Sequence, residues 1–173
     1  MGSQAMITSS GRSRHRRAQG LGGHVQLPAP GPRRQGRENS GMQTEINKTD
    51  EQWRSELSPQ QFDVLRRGAT ERPFSGAFVH NKQQGTYSGA ACGAELFDSH
   101  SKFDSGSGWP SFTEPAAAGK LSLLQDDSHG MQRVEVRCKR CGSHLGHVFD
   151  DGPAPGGQRY CINSVALGFK PQP

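Results

Sequence analysis

The four cysteines of this 173-residue chain fall into two groups by spacing and by neighbours. Cys138 and Cys141 form a Cys-x-x-Cys pair, and Cys92 lies upstream as half of a second pair whose other position, residue 89, is a glycine. Cys161 stands apart from these three, with an arginine two residues before it. Three thiols at metal-ligand spacing and one thiol beside a basic residue predict two separate roles, a structural metal site and a nucleophile.

The Cys138 and Cys141 pair is typical of a zinc knuckle, and Gly142 permits the tight backbone that such a turn needs. Structural zinc prefers four ligands, so Cys92 would complete only a three-thiol site, with Gly89 at the place of a fourth ligand. Two alternatives stay open. Cys92 could pack as a small hydrophobic residue, or the Cys-x-x-Cys pair could form a redox disulfide.

Cys161 is the candidate nucleophile. Arg159, Cys161 and Asn163 alternate along a predicted strand, so their side chains should share one face. A guanidinium beside a thiol favours the thiolate, which is the reactive form. His144 and His147 could supply acid–base catalysis. Alternatively, these histidines are structural hydrogen-bonding groups or ligands of the same metal.

An aromatic segment at residues 108–112 reads Gly-Trp-Pro-Ser-Phe. Trp109 in this segment could form an apolar wall for a substrate. It could equally pack in the protein core, as large aromatic side chains commonly do. Both interpretations of Trp109 stay open on the spacing alone.

Basic charge is concentrated near the N-terminus. The formal net charge is +5, but residues 1–37 hold seven of the 21 basic residues and no acidic residue. Residues 38–173 therefore hold 14 basic and 16 acidic residues, a net charge of −2. We expect no nucleic-acid-binding domain, because the basic footprint is not on the folded part. We also expect no membrane segment, because no apolar run approaches the roughly 18 residues of a span.

Residues 1–45 are rich in Gly, Arg, Ser and Pro, which predicts a disordered basic tail before a single domain over residues 46–173. The tail has three possible origins: a flexible leader, translated upstream sequence with Met42 as the natural start, or an organelle transit peptide. No signal peptide is visible, and free thiols suit a reducing compartment. We therefore expect a cytoplasmic protein.

Two short helices are predicted before a run of strands. The first covers residues 50–57 with Thr49 as a possible cap, and the second begins at Ser58 and Pro59 and ends at Gly68. Further along the chain, residues 133–138 alternate polar and apolar side chains, which is the best strand signal. Short segments between turns at 77–80, 85–87, 95–97, 160–162 and 165–169 are further candidate strands. This order predicts a mainly β, antiparallel domain behind two helices.

Four motifs together resemble the methionine-R-sulfoxide reductases of the MsrB type. They read Ser-Gly-Ser-Gly-Trp-Pro-Ser-Phe at 105–112, His-Gly-Met at 129–131, His-Leu-Gly-His-Val-Phe-Asp-Asp-Gly-Pro at 144–153 and Arg-Tyr-Cys-Ile-Asn-Ser at 159–164. The likeness covers about residues 50–170. It implies a fold of two antiparallel β-sheets with short N-terminal helices. It also implies reduction of the R epimer of methionine sulfoxide, free or in proteins.

The resemblance implies a catalytic role for four of the residues considered above. Cys161 would attack the sulfoxide sulfur as a thiolate, while His144, His147 and Asn163 would orient water and substrate and help to protonate the departing oxygen. The products would be methionine and a sulfenic acid on Cys161.

Four further site residues follow from the same resemblance. Arg159 and Asp151 would also be catalytic residues, because they would support the thiolate. Trp109 would receive the methyl group of the substrate, and Phe149 is expected to be a second substrate-binding residue.

Two positions depart from the family pattern. Many members have a resolving cysteine two residues before the tryptophan, and here that position is Ser107. We therefore expect an external thiol, thioredoxin or a small molecule, to reduce the sulfenic acid of Cys161. Gly89 stands where zinc-containing members have a cysteine, so the three remaining thiols would bind structural Zn²⁺ as an incomplete set.

The main alternative to an enzyme is a zinc-stapled β-domain that acts as a binding module without catalysis. Such a module would keep Cys138 and Cys141 but would need neither Cys161 nor Trp109, so the sequence favours the enzyme. Its expected partners are oxidised proteins or peptides that contain methionine-R-sulfoxide and a thiol reductant. We expect a monomer with a role in protein repair during oxidative stress.

Overall fold

The computed structural model describes residues 44–173, so residues 1–43 of the predicted tail lie outside the described residues. The first described residues already contact the domain. The amide of Ile46 donates to the carbonyl oxygen of Arg140 at 3.0 Å, and the Arg140 guanidinium lies 3.5 Å from the Glu45 carboxylate. In the range 44–173, no helix has the length and hydrophobicity needed to cross a bilayer.

Both predicted helices are present. Helix α1 spans Asp50–Glu56 and begins with a capping box at Thr49. Helix α2 spans Pro59–Arg67, begins with a capping box at Ser58, and ends at Gly68. Gly68 has φ 72°, a left-handed conformation that glycine adopts without steric strain and that commonly ends helices.

The described residues contain nine strands, which form two antiparallel sheets. They are β1 (Gly85–Gly89), β2 (Glu95–Asp98), β3 (Lys102–Phe103), β4 (Ser111–Phe112), β5 (Leu121–Asp126), β6 (Arg133–Cys138), β7 (His144–Phe149), β8 (Arg159–Ile162) and β9 (Leu167–Pro171). The smaller sheet has the order β2-β1-β9, and the larger sheet has the order β3-β4-β8-β7-β6-β5. The mainly β fold of two antiparallel sheets behind two helices is therefore confirmed.

One predicted strand is wrong. Residues 77–80 form turns instead of a strand. The amide of Val79 bonds to the carbonyl of Gly76, and the amide of Phe78 donates to the Ser164 hydroxyl at 2.8 Å, so these groups do not join a sheet ladder. The apolar side chain of Phe78 packs against Tyr87, which explains why the segment resembles a strand in sequence.

Aromatic side chains join the two sheets in the core. Phe97 of the smaller sheet stacks on Phe112 of the larger sheet with ring centroids 4.4 Å apart, and Tyr87 meets Phe112 edge-on at 5.1 Å. Each such pair contributes about 0.5–1.5 kcal/mol beyond its buried area. Trp53 and Leu65 bring the helices into the same core. This packing fixes the larger sheet, whose central strands carry the candidate site.

Candidate active site and metal site

A β-bulge on β7 brings two histidines to the same face of the sheet. His144 and His147 are three residues apart, so a regular strand would direct them to opposite faces. The register between β6 and β7 shifts by one residue at this point, which leaves Leu145 without a partner on β6. The two imidazole ring centroids lie 5.5 Å apart as a result.

Four adjacent strands align the reactive side chains in one row. Cys161 on β8 pairs with Ser111 on β4 and with His147 on β7, and His147 in turn pairs with Glu135 on β6. Directly paired residues of antiparallel strands have Cβ atoms about 5 Å apart on the same face. The sheet register therefore makes His147 an immediate neighbour of the candidate nucleophile.

The Cys161 thiol is half-buried and has polar neighbours. Its burial is the largest influence on its pKa and raises it, while the Ser107 hydroxyl, 3.9 Å from the sulfur, and the charge of Arg159 lower it in part. The net pKa lies above the ordinary cysteine range, so the thiol form predominates at neutral pH. Arg159 favours the thiolate as expected, but burial outweighs its effect.

Each histidine of the bulged strand is held by a carboxylate. Nδ1 of His144 lies 2.6 Å from the Glu135 carboxylate, and Nε2 of His147 lies 2.7 Å from the Asp126 carboxylate. Nε2 of His144 is buried without a hydrogen-bond partner. Burial lowers the pKa of His147, although the hydrogen bond to Asp126 opposes this effect. His147 is therefore neutral at pH 7, and Nδ1 remains available to accept a proton if Asp126 fixes the Nε2–H tautomer.

The predicted supporting residues also come together. The Arg159 guanidinium donates two hydrogen bonds to Asp151, at 2.8 and 2.9 Å, in a bidentate ion pair. It also lies over the ring of Phe149, 4.6 Å from the ring centroid. Phe149 and Arg159 are register partners on β7 and β8. This arrangement fixes the guanidinium of Arg159, which lies two residues before Cys161 on the same strand.

The side chains of Trp109 and Asn163 are both fixed by main-chain groups. The indole Nε1 of Trp109 donates to the carbonyl oxygen of Glu71 at 3.1 Å. The Asn163 amide donates to the carbonyl of Leu145 at 2.9 Å and accepts from the amide of Glu71 at 3.0 Å. Asn163 is only 3% exposed, so its main contacts are those that hold the bulge and the Glu71 segment in place.

Glu71 connects several parts of the site. Its buried carboxylate accepts hydrogen bonds from the amides of Ser164 and Val165, just after the nucleophile's strand. Burial raises the pKa of Glu71, and these two amides oppose the rise. Because its main chain also contacts Trp109 and Asn163, Glu71 positions two predicted site residues at once.

A small cavity of about 130 Å³ opens where these elements meet. It is lined by Thr70, Trp109, Arg133, Gly146, His147, Phe149, Cys161 and Asn163. Five of the predicted site residues thus share the cavity. His144, Arg159 and Asp151 lie outside its lining. The ring of His144 is next to that of His147, and the Arg159 guanidinium lies over the ring of Phe149.

Sequence reasoning missed the charged partners of the histidines. Arg133 and Glu135 alternate along β6, whose period-two pattern predicted the strand but not its role. Arg133 pairs with Asp126 at 2.8 Å, and Asp126 is the residue that holds His147. The available signal was the run of charged residues on β6, which comes directly before the segment that holds the two histidines. Glu71 gave no such signal, because its partners lie 38 to 94 residues away in sequence.

Three thiols form a second cluster that can hold a metal ion. The sulfur atoms of Cys92, Cys138 and Cys141 lie within 4.8 Å of one another, and the Cys92–Cys138 separation is 3.7 Å. Tetrahedral zinc with Zn–S bonds of about 2.3 Å would place its thiolates about 3.8 Å apart, so this spacing fits. All four cysteines are free thiols in this structure. The Cys138 and Cys92 thiols donate hydrogen bonds that hold the pKa of Cys141 well below its usual range.

Gly89 lies beside this cluster. A Cβ atom built on Gly89 would be 3.7 Å from the Cys92 sulfur and 3.3 Å from the Leu96 side chain. Position 89 could therefore direct a side chain toward the three thiols. The glycine leaves that side of the cluster without a fourth sulfur ligand.

Comparison with known proteins agrees with this geometry. The SelR domain family model matches residues 57–171, well over half of the chain. Proteins named peptide methionine sulfoxide reductase MsrB are similar to it. The protein from Methanosarcina mazei is 58% identical over 127 residues, which are 73% of this chain and 91% of that protein. The protein from Leptospira interrogans is 54% identical over 129 residues, which are 75% and 98% of the two chains.

A third relative, from Bradyrhizobium diazoefficiens, is 58% identical over 127 residues, 73% of this chain and 91% of its own. The family model spans helix α2, both sheets and every candidate site residue. The chain therefore belongs to the SelR domain family, the MsrB-type methionine-R-sulfoxide reductases, as its motifs predicted.

Proposed function

We propose that this protein reduces methionine-R-sulfoxide in peptides and proteins, with Cys161 as the nucleophile. The observation that carries the proposal is the pairing of Cys161 with His147 inside a cavity walled by Trp109. A nucleophile and an acid–base group are immediate neighbours there, and an aromatic wall stands beside them for an apolar methyl group.

In the proposed reaction, the sulfur of Cys161 attacks the sulfoxide sulfur while the sulfoxide oxygen is protonated. The oxygen ends on Cys161 as a sulfenic acid, and methionine leaves. The sulfoxide gains two electrons and the cysteine loses two, so this half-reaction balances without a cofactor.

His147 moves the proton in this proposal. Cys161 begins as a thiol because burial raises its pKa, so it needs a base as it attacks. Neutral His147 accepts the thiol proton and delivers it to the departing oxygen. Asp126 stabilises the imidazolium formed in between. His144, which is hydrogen-bonded to Glu135, packs against His147 and supports the His147–Asp126 pair. Asn163 keeps the bulged strand in position through its hydrogen bond to Leu145.

An external thiol completes the cycle. Ser107 stands at the place of the expected resolving cysteine, with its hydroxyl 3.9 Å from the Cys161 sulfur, and a hydroxyl cannot form a disulfide. A thiol from thioredoxin or a small molecule attacks the sulfenic acid and releases water. A second thiol then frees Cys161 and leaves an external disulfide. The other three cysteines contact one another instead of Cys161.

Structural Zn²⁺ is the proposed occupant of the thiol cluster. Cys92, Cys138 and Cys141 would hold it, and the ion would crosslink the loop after β1 to the turn between β6 and β7. Zinc bound in this way supplies folding free energy. The cluster lies on a different part of the fold from the Cys161 cavity.

The protein is proposed to act as a monomer in a reducing compartment such as the cytoplasm, in protein repair under oxidative stress. Among residues 44–173 the exposed large hydrophobic side chains are three scattered residues, Phe74, Leu123 and Met131, which supports a monomer. Catalysis by a free thiol suits a compartment that keeps cysteines reduced.

Turnover of the separated R and S epimers of dabsylated methionine sulfoxide, with excess dithiothreitol, tests the proposal. The protein should reduce the R epimer, and Cys161→Ser should not. Equal rates for Cys161→Ser and the unaltered protein would refute the assigned nucleophile. Absence of turnover in a folded, reduced protein would favour the binding module without catalysis.

A further inference from the structure

Phe74 has an unusual conformation and unusual exposure. Its φ is 63°, in the left-handed region that bulky side chains rarely adopt. Its side chain is nevertheless 60% exposed, the most exposed of the large hydrophobic residues in the described part of the chain. The backbone conformation disfavours a phenylalanine at this position, and the exposed ring does not contribute to the core. Residues with strained backbone conformations cluster at binding sites.

Neighbouring groups hold the Phe74 backbone in this conformation. Its amide donates to the carbonyl of Gly108 at 2.7 Å. The hydroxyl of Ser75 donates to the carbonyl of Arg72 at 2.7 Å, which closes the turn around it. A Cβ on Gly108 would lie 3.0 Å from the Phe74 amide nitrogen and 3.1 Å from its ring, so the two segments are in direct contact. The ring is therefore held in a defined place at the surface.

That place adjoins the Trp109 wall of the catalytic cavity. Gly108, which Phe74 contacts, lies between Ser107, whose hydroxyl is 3.9 Å from the nucleophile, and Trp109, which lines the cavity. Glu71, three residues before Phe74, accepts the indole hydrogen bond of Trp109. The same short segment thus fixes a cavity wall and presents an aromatic ring outside it.

The size of the cavity indicates what covers this ring. About 130 Å³ can accept the side chain of an oxidised methionine but not its neighbours in a peptide. Those neighbours must lie across the rim. Methionine residues of folded proteins commonly have apolar neighbours, and apolar contacts become accessible when a damaged protein unfolds.

We propose that Phe74 forms a subsite for an apolar side chain adjacent to the oxidised methionine in a peptide substrate. This inference rests on the proposed function, since it assumes that the sulfoxide occupies the cavity. Because of this subsite, the enzyme prefers peptides in which apolar residues flank the methionine sulfoxide over peptides in which glycines flank it. Preorganisation of the ring by the strained turn lowers the entropic cost of that contact.

Peptide binding to Cys161→Ser tests the subsite without turnover. The two ligands are capped tripeptides with a central methionine-R-sulfoxide, flanked by leucines in one and by glycines in the other. The Cys161→Ser protein should bind the leucine peptide about tenfold more tightly, the scale of burying part of one apolar side chain. Adding Phe74→Gly should remove most of this preference, and adding Phe74→Leu should retain part of it.

A stability measurement separates a binding role from a structural one. Glycine adopts a positive φ readily, so Phe74→Gly should leave Tm unchanged or raise it while the preference is lost. Leu123→Ala, at a residue of similar exposure on β5 outside the cavity lining, should keep the preference. A leucine preference that survives in Phe74→Gly, or that is absent from the Cys161→Ser protein, overturns the inference. If the oxidised peptides bind as expected but are not reduced by the unaltered protein, the proposed function fails and the subsite stands.

Discussion

The Sγ atom of Cys161 lies 3.9 Å from the Oγ atom of Ser107. A thiol at residue 107 would therefore stand next to the nucleophile, and small side-chain rotations could bring two sulfurs to the bond length of about 2.05 Å. The position is ready for a resolving cysteine but holds a group that cannot resolve a sulfenic acid.

Ser107→Cys should convert the enzyme to internal resolution. After one equivalent of substrate without reductant, the variant should lose two free thiols per chain through a disulfide with Cys161, whereas the unaltered protein should lose one. Free-thiol titration and peptide mapping measure the difference. Ser105→Cys is the matched control, because the Ser105 hydroxyl contacts Ser107 and Ser111 instead of Cys161. Loss of one thiol in both Ser107→Cys and the unaltered protein would contradict the prediction.

The charge of Arg159 should control how readily Cys161 ionises. Burial raises the pKa of Cys161 and Arg159 lowers it in part, so Arg159→Met should raise it further. The thiolate fraction at pH 7.5 then falls, and alkylation of Cys161 by iodoacetamide should slow several-fold. The pH–rate profile should shift to higher pH. Peptide mass spectrometry over a pH series measures this rate, and a profile that stays in place or shifts to lower pH would be the contrary result.

The partnership of Asp126 with His147 should appear in the acid limb of kcat/KM. Burial lowers the pKa of His147, so its neutral form persists below the ordinary histidine range and activity is lost only as the pH falls further. The hydrogen bond that His147 donates to Asp126 raises that pKa in part. Asp126→Asn should therefore move the inflection to lower pH and reduce kcat/KM by about one to two orders of magnitude. An inflection at higher pH, or an unchanged rate, would show that Asp126 does not act through His147.

Gly89→Cys should complete the metal site. A side chain at residue 89 begins 3.7 Å from the Cys92 sulfur, and the Leu96 methyl group, at 3.3 Å, must yield by a few tenths of an ångström. A fourth thiolate should raise zinc content per chain and Tm, because metal binding is coupled to folding. Elemental analysis and calorimetry measure both. Gly89→Ser is the control of similar size, since its hydroxyl is a poorer zinc ligand, and equal values for the two variants would exclude ligation by residue 89.

Local sequence signals predicted the helices and much of the chemistry. Ser58 and Gly68 specify the ends of α2 through chemistry that acts within a few residues, and the alternation of residues 133–138 defines a strand in the same way. The motif around Cys161 placed the nucleophile beside Arg159, and their positions on one strand agree with that expectation.

Features that depend on tertiary register could not be predicted in this way. The bulge at Leu145 decides that His144 and His147 share a face, and it is visible only when β6 is aligned with β7. The carboxylate partners of the histidines come from two other strands, Glu135 from β6 and Asp126 from β5. The raised pKa of Cys161 follows from burial, which outweighs the nearby arginine. From sequence alone, the effect of Arg159 on the pKa of Cys161 was overestimated relative to the effect of burial.

Peptide mass spectrometry after a single turnover tests the central claim most directly. The fully reduced protein, freed of small thiols, receives one equivalent of methionine-R-sulfoxide, and the chain is then mapped by peptide mass. We expect one equivalent of methionine and a gain of about 16 Da on the peptide that contains Cys161, as for a sulfenic acid. Cys161→Ser should give neither product. Methionine formed without oxidation of Cys161, or a disulfide between Cys161 and Cys92, Cys138 or Cys141, would contradict the account.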